Sequence, residues 1–338
     1  MNSSARNLIA LSIAGVLTSG VAHAQTQASS VQLYGVVGLY LGKIQRSGQP
    51  SVVQLGHGGL TTSYFGMRGS EDLGAGLKAV FALEAFFQPD NGAMGRTAAD
   101  PIFSRNSYVG LQGSFGRATV GRQTNPTYVN MGMVSAFGGS TVFSPLVLQS
   151  FVATYDNAII GDTVWNNAIQ YTSPRWNGFS VTGLYGLGES SSGDRSNVGL
   201  HANYVSGGLT AVLSTQRVRT PVTAPLSEQK ATLLGAAYDF KVVKVFGAHV
   251  RTEAEGTHNE TRISSLGVRV PVGRTDAVMA EWSRAHRDAA AATTRNTASL
   301  GYDHVLSKRT NVYVVYGRDR LSGRDTGNSY AVGIRHSF

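Results

Sequence analysis

Side chains of alternating polarity recur along most of the chain in segments of about ten residues. Within residues 77–88, Phe81 and Leu83 fall on one face, and Lys78 and Glu84 fall on the other. A repeat of two is the period of a β-strand, whose successive side chains point to opposite sides. A helix would mix the two charged residues into the apolar stripe. The pattern therefore predicts a strand that separates two different environments.

Sixteen such segments can be counted, which predicts an all-β, antiparallel fold. An even number suits a single-chain bacterial barrel that crosses a membrane. The segments begin near Val31, Ser63, Leu77, Ser107, Arg117, Asn167, Phe179, Val198, Leu209, Ala231, Lys244, Ile263, Asp276, Asn296, Asn311 and Ser329.

The connections between the segments are of two kinds, short and long. The short ones contain the Gly, Pro, Asn and Asp residues that tight turns need. A barrel has short periplasmic turns at one rim and long extracellular loops at the other. The short connections cover 70–76, 113–116, 173–178, 206–208, 271–275 and 306–310, and the long ones cover 43–62, 89–103, 125–165, 220–229 and 287–295.

The chain ends on a strand pattern, in which Tyr330, Ile334 and Phe338 alternate with Ser329 and Arg335. A strand at the end of a chain leaves unpaired backbone groups unless it pairs with another strand. Pairing with the first strand would remove both edges of the sheet. In lipid, the unpaired N–H and C=O groups of an open edge would raise the free energy of the fold. We therefore expect a closed transmembrane barrel.

Composition agrees with a spanning β-structure. The chain has 41 Gly among 338 residues and only 14% charged residues, against about 25% charged in typical soluble domains. No stretch after residue 24 reaches the ~18 consecutive apolar residues of a transmembrane helix. The absence of cysteine excludes disulfides and thiolate metal sites.

The first residues have the pattern of a secretory signal peptide. Arg6 supplies a positive charge, residues 8–21 form an apolar run, and Ala22-His23-Ala24 is a small-x-small cleavage signal. We expect a signal peptide over residues 1–24 and one barrel domain over residues 25–338.

The net charge of +9 is scattered, without a run of five or six basic residues and without a nucleic-acid motif. The histidines on the predicted strands lack metal-ligand spacing. We therefore expect no nucleic-acid partner, no metal and no cofactor.

The sequence resembles the Gram-negative porins of the betaproteobacterial type over essentially the whole mature chain. The motifs that carry the resemblance appear in the family's order behind the leader. They are Val31–Gly35, Gly69–Phe81, Ser107–Leu111, Phe115-Gly116, Gly121–Gln123, Asn167–Ile169, Tyr171–Pro174, Leu306–Thr310 and Gly333–Phe338.

The resemblance implies a water-filled outer-membrane channel for passive diffusion of small hydrophilic solutes and ions, not an enzyme. It implies a homotrimer and a third loop, residues 125–165, folded into the lumen. Phe338 matches the terminal aromatic residue that the assembly machinery reads. We also expect contact with outer-membrane lipids and lipopolysaccharide.

A diffusion pore needs a polar wall and a field across its narrowest point. Arg122 matches the wall arginine that precedes the third loop in this family. In the long loop, Asp156 and Asp162 are the candidate acids opposite the wall, although either could instead brace the loop by hydrogen bonds.

Strand parity selects further lumen-facing residues. Arg68 shares a face with Tyr64, opposite Phe65, and Lys78 and Glu84 face the lumen by the same reasoning. An arginine on the lipid face near the middle of the bilayer would cost ~2–4 kcal/mol. Arg269 and Arg335 are further lumen-facing bases.

Three positions depart from the family, since Tyr64, Val36 and Trp165 stand where many members carry a pore-facing basic residue. Tyr64 and Trp165 would make the pore wall more aromatic. A thinner set of bases predicts only a mild anion preference.

Three other kinds of protein stay open. Tyr64 and Trp165 could begin the track of a substrate-specific channel. A barrel enzyme would need a catalytic constellation, but no G-x-S-x-G elbow is present. An adhesive barrel would need its lumen filled.

Overall fold

The computed structural model describes residues 30–188, 196–220, 227–254, 259–288 and 292–338, and the predicted signal peptide over 1–24 lies outside them. The described strands form one antiparallel sheet that closes on itself. β1 (Ser30–Ile44) pairs with the last strand, β18 (Gly327–Ser337), and also with β3 (Tyr64–Gly74). The predicted closure between the first and last strands is confirmed.

The remaining strands follow in chain order, with two helices between β7 and β8. The helices of the described residues are α1 (Pro126–Met133), α2 (Pro145–Phe151) and a 3₁₀ turn (Ala153–Tyr155). The strands are β2 (Val52–His57), β4 (Leu77–Gln88), β5 (Ala93–Met94), β6 (Ser107–Gly113), β7 (Gly116–Thr124), β8 (Val164–Thr172), β9 (Phe179–Gly186), β10 (Asn197–Ser206), β11 (Leu209–Thr220), β12 (Ser227–Asp239), β13 (Lys244–Ala254), β14 (Asn259–Val272), β15 (Asp276–Asp288), β16 (Thr293–Val305) and β17 (Thr310–Leu321).

Sixteen of the described strands form the barrel wall, as the sequence predicts. β2 and β5 are short additions to this wall. β2 pairs with the C-terminal half of β1, and β5 pairs with the C-terminal end of β4. The predicted starts at Ala231 and Ile263 each lie four residues inside their strands. Those strands extend through polar residues toward the long loops, where hydrophobic alternation gives no signal.

The two faces of the wall differ as the alternation predicts. Leu33, Val109, Leu213, Leu266 and Leu300 are all exposed on the outer face, where lipid covers apolar side chains. The inner face carries most of the buried polar and charged residues of the strands. The outer and inner faces therefore meet lipid and the lumen, respectively.

The third loop, residues 125–163, lies inside the barrel, as expected for the loop after the fifth wall strand. Asn130 of α1 donates a hydrogen bond of 2.8 Å to Ser214 on β11. Val134 of the loop packs closely against Gly235 of β12. A Cβ atom added at Gly235 would lie only 2.7 Å from a methyl carbon of Val134. A larger residue at position 235 would push the loop away from the wall.

Both helices of the loop begin at recognisable caps. Asn125 accepts a hydrogen bond from the Thr127 backbone, and Ser144 accepts one from Val147. Each cap is followed by Pro126 or Pro145 at the first helical position, where the missing N–H of proline has no cost. The helices are eight and seven residues long, and no helix of the described residues is long and apolar enough to cross a membrane.

The hydrophobic core is the contact between this loop and the inner wall. One cluster joins residues of the loop, among them Met131 and Leu146, to the β11–β14 wall, including Leu233 and Ile263. A second cluster joins Phe137 and Phe143 of the loop to side chains of β1, β12, β13, β15, β17 and β18. The loop therefore covers one side of the lumen and leaves the other side open.

Glu281 on β15 anchors the loop to the wall. Its carboxylate accepts hydrogen bonds from the backbone N–H of Phe137 (3.3 Å) and Leu146 (3.1 Å), and from the Ser135 hydroxyl (2.6 Å). The side chain is buried. A buried carboxylate surrounded by donors is stabilised only while the donors stay in place.

We expect Glu281→Ala to loosen the third loop, because it leaves the loop donors unpaired inside the barrel. The free energy of unfolding should fall by about 2–4 kcal/mol, and single-channel current noise should rise. Glu281→Gln keeps an acceptor, so its noise should fall between that of the wild type and that of Glu281→Ala. As a control, Glu260→Ala at the outer rim should leave the noise unchanged. Quiet channels from Glu281→Ala would contradict this anchoring role.

Candidate pore and constriction

The open side of the lumen lies along β3, β4, β6 and β7, whose inner faces the two loop clusters do not cover. Ser214 and Gly235 contact the loop and therefore face inward, and directly paired residues of neighbouring strands share a face. Following the register around the wall assigns the other residues. Arg68, Lys78, Glu84, Arg269 and Arg335 all lie on the inner face.

A column of stacked aromatic and guanidinium groups runs along this open wall. Arg68 stacks over the Tyr34 ring at 4.6 Å and also bonds Gln32. Tyr34 meets Tyr64 edge-on at 6.2 Å, and Arg105 stacks over Tyr64 at 4.2 Å. Cation–π contacts of this kind orient the guanidinium groups and leave their charge in place. Tyr64 therefore occupies the wall as an aromatic support between two arginines.

Glu84 compensates part of this positive charge. Its buried carboxylate accepts hydrogen bonds from Tyr34, Arg105 and Asn106. Gly66 lies opposite Glu84 in the register and leaves room for its side chain. The acid is lumen-facing by its strand position and is covered by its own partners.

Arg122 follows a bulge in β7. Gly121 adopts φ +132°, and a Cβ there would lie 2.2 Å from the Ser107 carbonyl oxygen, so the position requires glycine. The register shifts between Gly121 and Gln123, and regular alternation ends there. The Arg122 guanidinium donates to the Ser104 carbonyl (2.7 Å) and to Asn166. The bulge places Arg122 where the third loop meets the second loop, which is the connection between β4 and β6.

Asp162 binds the second loop. Arg96 contacts both of its carboxylate oxygens at 2.7 Å and also pairs with Asp100 at 2.8 Å, while Arg122 lies 3.8 Å away. Burial raises the pKa of the Asp162 carboxyl, but hydrogen bonds and charge from Arg96 outweigh burial and hold that pKa below its ordinary value. Asp162 is thus an ionised brace between two loops.

Asp156 makes a similar contact on the opposite side. Its carboxylate is 2.8 Å from Arg295 on β16, and Arg295 also pairs with Asp319 on β17 at 3.0 Å. The side chain of Asp156 is exposed, whereas Arg295 and Asp319 are buried. The geometry at both loop acids corresponds to the bracing alternative.

Trp165 is enclosed by the wall. It is 4% exposed and packs with Leu184, Val218 and Ala168. Its indole N–H has no hydrogen-bond partner among the described residues. Trp165 therefore supports the strand after the loop and presents little surface to the open lumen.

The inner-face bases differ in their partners. Arg269 pairs with Asp303 at 3.0 Å, whereas Arg335 donates to Asn311 and Thr61. Lys78 lies opposite Asp72, next to the short turn. The structure thus brings Arg68 and Tyr64 together in the column, and it leaves Arg269 and Arg335 elsewhere on the wall.

Several residues of the site were not singled out from the sequence. Arg96 and Arg105 lie in the second loop, where no alternation assigns a face, and Glu281 is one acid among several on polar strand faces. The one sequence signal for Arg105 is its position two residues before the first residue of β6. Among the described residues, no group of three or more His, Asp or Glu side chains could hold a metal ion.

A closed barrel with an apolar outer surface and an open polar lumen defines a membrane channel. A sequence profile described as Gram-negative porin matches residues 10–324. The chain belongs to this family of porins. It is an outer-membrane channel for passive diffusion of small hydrophilic solutes, and it is not an enzyme.

Relatives agree over nearly the full length. Outer membrane porin protein 32 of Delftia acidovorans is 32% identical, with 98% of this chain and 99% of the relative covered. An outer membrane porin protein of Bordetella pertussis is 29% identical, with 96% of this chain and 99% of the relative covered. A solved anion-selective porin from Comamonas acidovorans superposes with a TM-score of 0.80 at 28% identity, covering 92% of this chain and all of that one.

We expect the contact between Arg96 and Asp162 to resist mild acid. A carboxyl whose pKa is lowered in the folded state contributes its full stabilisation above its ordinary pKa of about 4. That stabilisation is lost as the pH falls through the lowered pKa of the folded state. Channel noise should therefore be flat from pH 7 to 5 and should rise below pH 4. Asp162→Asn should be noisy at pH 7, and the control Asp325→Asn should follow the wild type. Noise that begins to rise near pH 6 would contradict this assignment.

Proposed function

We propose that the channel is a general diffusion pore with a mild preference for anions. The observation that carries this proposal is the imbalance between paired acids and unpaired bases on the inner wall. Among the described residues, the inner-face cations without an ion pair include Arg68, Lys78, Arg117 and Arg335. The inner-face acids are engaged as acceptors, as Glu84, Glu281, Asp303 and Asp319 illustrate.

The third loop adds little negative charge to the open lumen. Both of its candidate acids are engaged by arginines, Asp162 by Arg96 and Asp156 by Arg295. The transverse field at Arg122 and the Arg105 column is therefore weak on its acidic side. A weak field with excess positive charge favours anions modestly and lets neutral polar solutes pass. The anion-selective porin from Comamonas acidovorans, at 28% identity, supports the same direction.

A substrate-specific channel is the second candidate. The stacked column of Arg68, Tyr34, Tyr64 and Arg105 favours it, since an ordered track could hold an anionic or aromatic solute. Current block that saturates at low solute concentration would indicate such a track. A current that rises linearly with salt, without saturable block, would support general diffusion.

The assembled form also belongs to this proposal. We infer a homotrimer, cleavage of the signal peptide after Ala24, and recognition of the last strand by the assembly machinery. Phe338 continues the pairing with β1 through two backbone hydrogen bonds to Gly35, of 3.1 and 3.2 Å, and the residue stays 40% exposed. Outer-membrane lipids and lipopolysaccharide would surround the barrel.

Removing an unpaired inner-wall cation should reduce the anion preference. A unit charge within one Debye length of the permeating ion changes the local concentration of ions by about twofold. We expect Arg68→Gln and Arg117→Gln each to lower the chloride-to-potassium permeability ratio by about that factor, measured from reversal potentials in a KCl gradient. Arg251→Gln on the outer face is the control and should leave the ratio unchanged. An unchanged ratio in both inner variants would refute the proposal.

The trimer has its own measurement. The mature protein folded in detergent should have the mass of three chains, and its insertion into a planar bilayer should give current in groups of three equal steps. A monomeric mass together with single steps would reject the trimer and leave the diffusion pore standing.

A further inference from the structure

The outer face of the wall changes character toward the rim with the long loops. On β15, Val278, Ala280 and Trp282 form an apolar run, and Arg284 and His286 follow on the same face. Directly paired residues on β16 and β17 show the same change. The apolar part lies in the bilayer, and the charged part lies at the level of the outer-leaflet headgroups.

Most outward arginines at this level have acidic partners. On β11 and β12, Arg217 and Arg219 pair with Glu228. On β13 and β14, Arg251 lies 2.9 Å from Glu260, which also binds Arg262. This part of the rim is electrostatically compensated by the protein itself.

Three arginines on β15 and β17 differ from these. Arg284, Arg318 and Arg320 are exposed on the outer face, and within the described ranges none of them makes an ion pair. Uncompensated guanidinium groups at the edge of a bilayer attract anions, and arginine matches phosphate through paired hydrogen bonds.

The strand register brings these arginines together around a concave floor. Asn296 of β16 lies between Arg284 and Arg320, and one rung lower Ala298 lies between Trp282 and Arg318. Arg284 and Arg320 are thus two strands apart, or roughly 10 Å. A concavity of about 410 Å³ is lined by Trp282, Asn296, Ala298, Arg318 and Arg320.

An apolar groove continues from this concavity toward the middle of the bilayer. It has a volume of about 610 Å³, and Trp282 and Ala298 line both spaces. Leu300 and Tyr316 form further walls of the groove, and Ala280 keeps it open because its side chain is small. The concavity lined by Arg318 and Arg320, called the basic cleft below, therefore lies directly above this groove on the lipid-facing surface. The groove is large enough for an acyl chain.

We propose that this surface binds a phosphorylated glycolipid of the outer leaflet, with its phosphates on Arg318 and Arg320 and one acyl chain along the groove. Two arginines on successive rungs of β17, with a third across Asn296, suit a headgroup that carries more than one phosphate. The apolar groove favours a lipid over a free anion, because only a lipid has an acyl chain to place in it. Of the functional conclusions above, the proposal depends only on the outer-membrane location, because these side chains face away from the pore.

The test uses the folded full-length mature porin in detergent and counts bound lipid by native mass spectrometry. The probes are bis-phosphorylated lipid A, the same lipid A with both phosphates removed, phosphatidylglycerol and sodium phosphate. The double variant Arg318→Gln/Arg320→Gln removes the basic cleft, and Ala298→Phe fills the floor without changing charge. Arg251→Gln/Arg262→Gln is the matched control, because it removes two outward arginines that are already paired.

Lipid A should bind wild type and the matched control equally, and it should bind the Arg318/Arg320 double variant at least about tenfold more weakly. Ala298→Phe should also weaken binding, and excess sodium phosphate should not displace the lipid. The proposal is overturned if dephosphorylated lipid A or phosphatidylglycerol binds as tightly, or if the control variant loses as much affinity as the cleft variant.

A second copy of the chain is the rival occupant of this surface. In that case the cleft variants would lower the thermal stability of the oligomer without any change in lipid count, which would reject the glycolipid. Reversal potentials of the same variants should stay at the wild-type value. Failure of lipid binding is therefore distinguishable from failure of the proposed ion preference.

Discussion

Every backbone N–H and C=O group that lies in lipid needs a hydrogen-bond partner within the protein, and the rest of this structure depends on that constraint. A strand that crosses a bilayer has no water to bond its N–H and C=O groups, so every edge must be paired. β1 meets this demand on both of its edges. One edge pairs with β18, and the other edge pairs first with β3 and then with β2. Phe338 completes the closure at Gly35. Because the sheet is closed, alternate side chains must face lipid and the lumen.

Closure creates a wide lumen, and the third loop is what narrows it. Sixteen strands enclose more space than wall side chains can fill, so the hydrophobic core forms between the loop and one side of the wall. Close contacts at Gly235 and the hydrogen bonds to Glu281 hold the loop in place. The packing of this protein therefore serves mainly to shape the pore.

The charges divide by the face on which they lie. Inside, acids such as Glu84 and Asp162 are engaged by hydrogen bonds and ion pairs, and some cations stay uncompensated. Outside, arginines near the upper rim are balanced by Glu228 and Glu260 except on β15 and β17. In both places an unpaired guanidinium group is the feature with functional meaning, since pairing cancels its attraction for anions.

Alternation of period two determined the strand count, the closure and the lumen-facing positions of Arg68, Lys78 and Glu84, because lipid and water impose opposite preferences on neighbouring residues. The resemblance to the porin family predicted that the third loop folds into the lumen. Only the tertiary structure decided which charges remain free. Asp162 meets Arg96 and Asp156 meets Arg295 across more than sixty residues of chain, and Arg122 is redirected by a bulge at Gly121. Such contacts depend on loops packed in three dimensions, and no period along the chain encodes them.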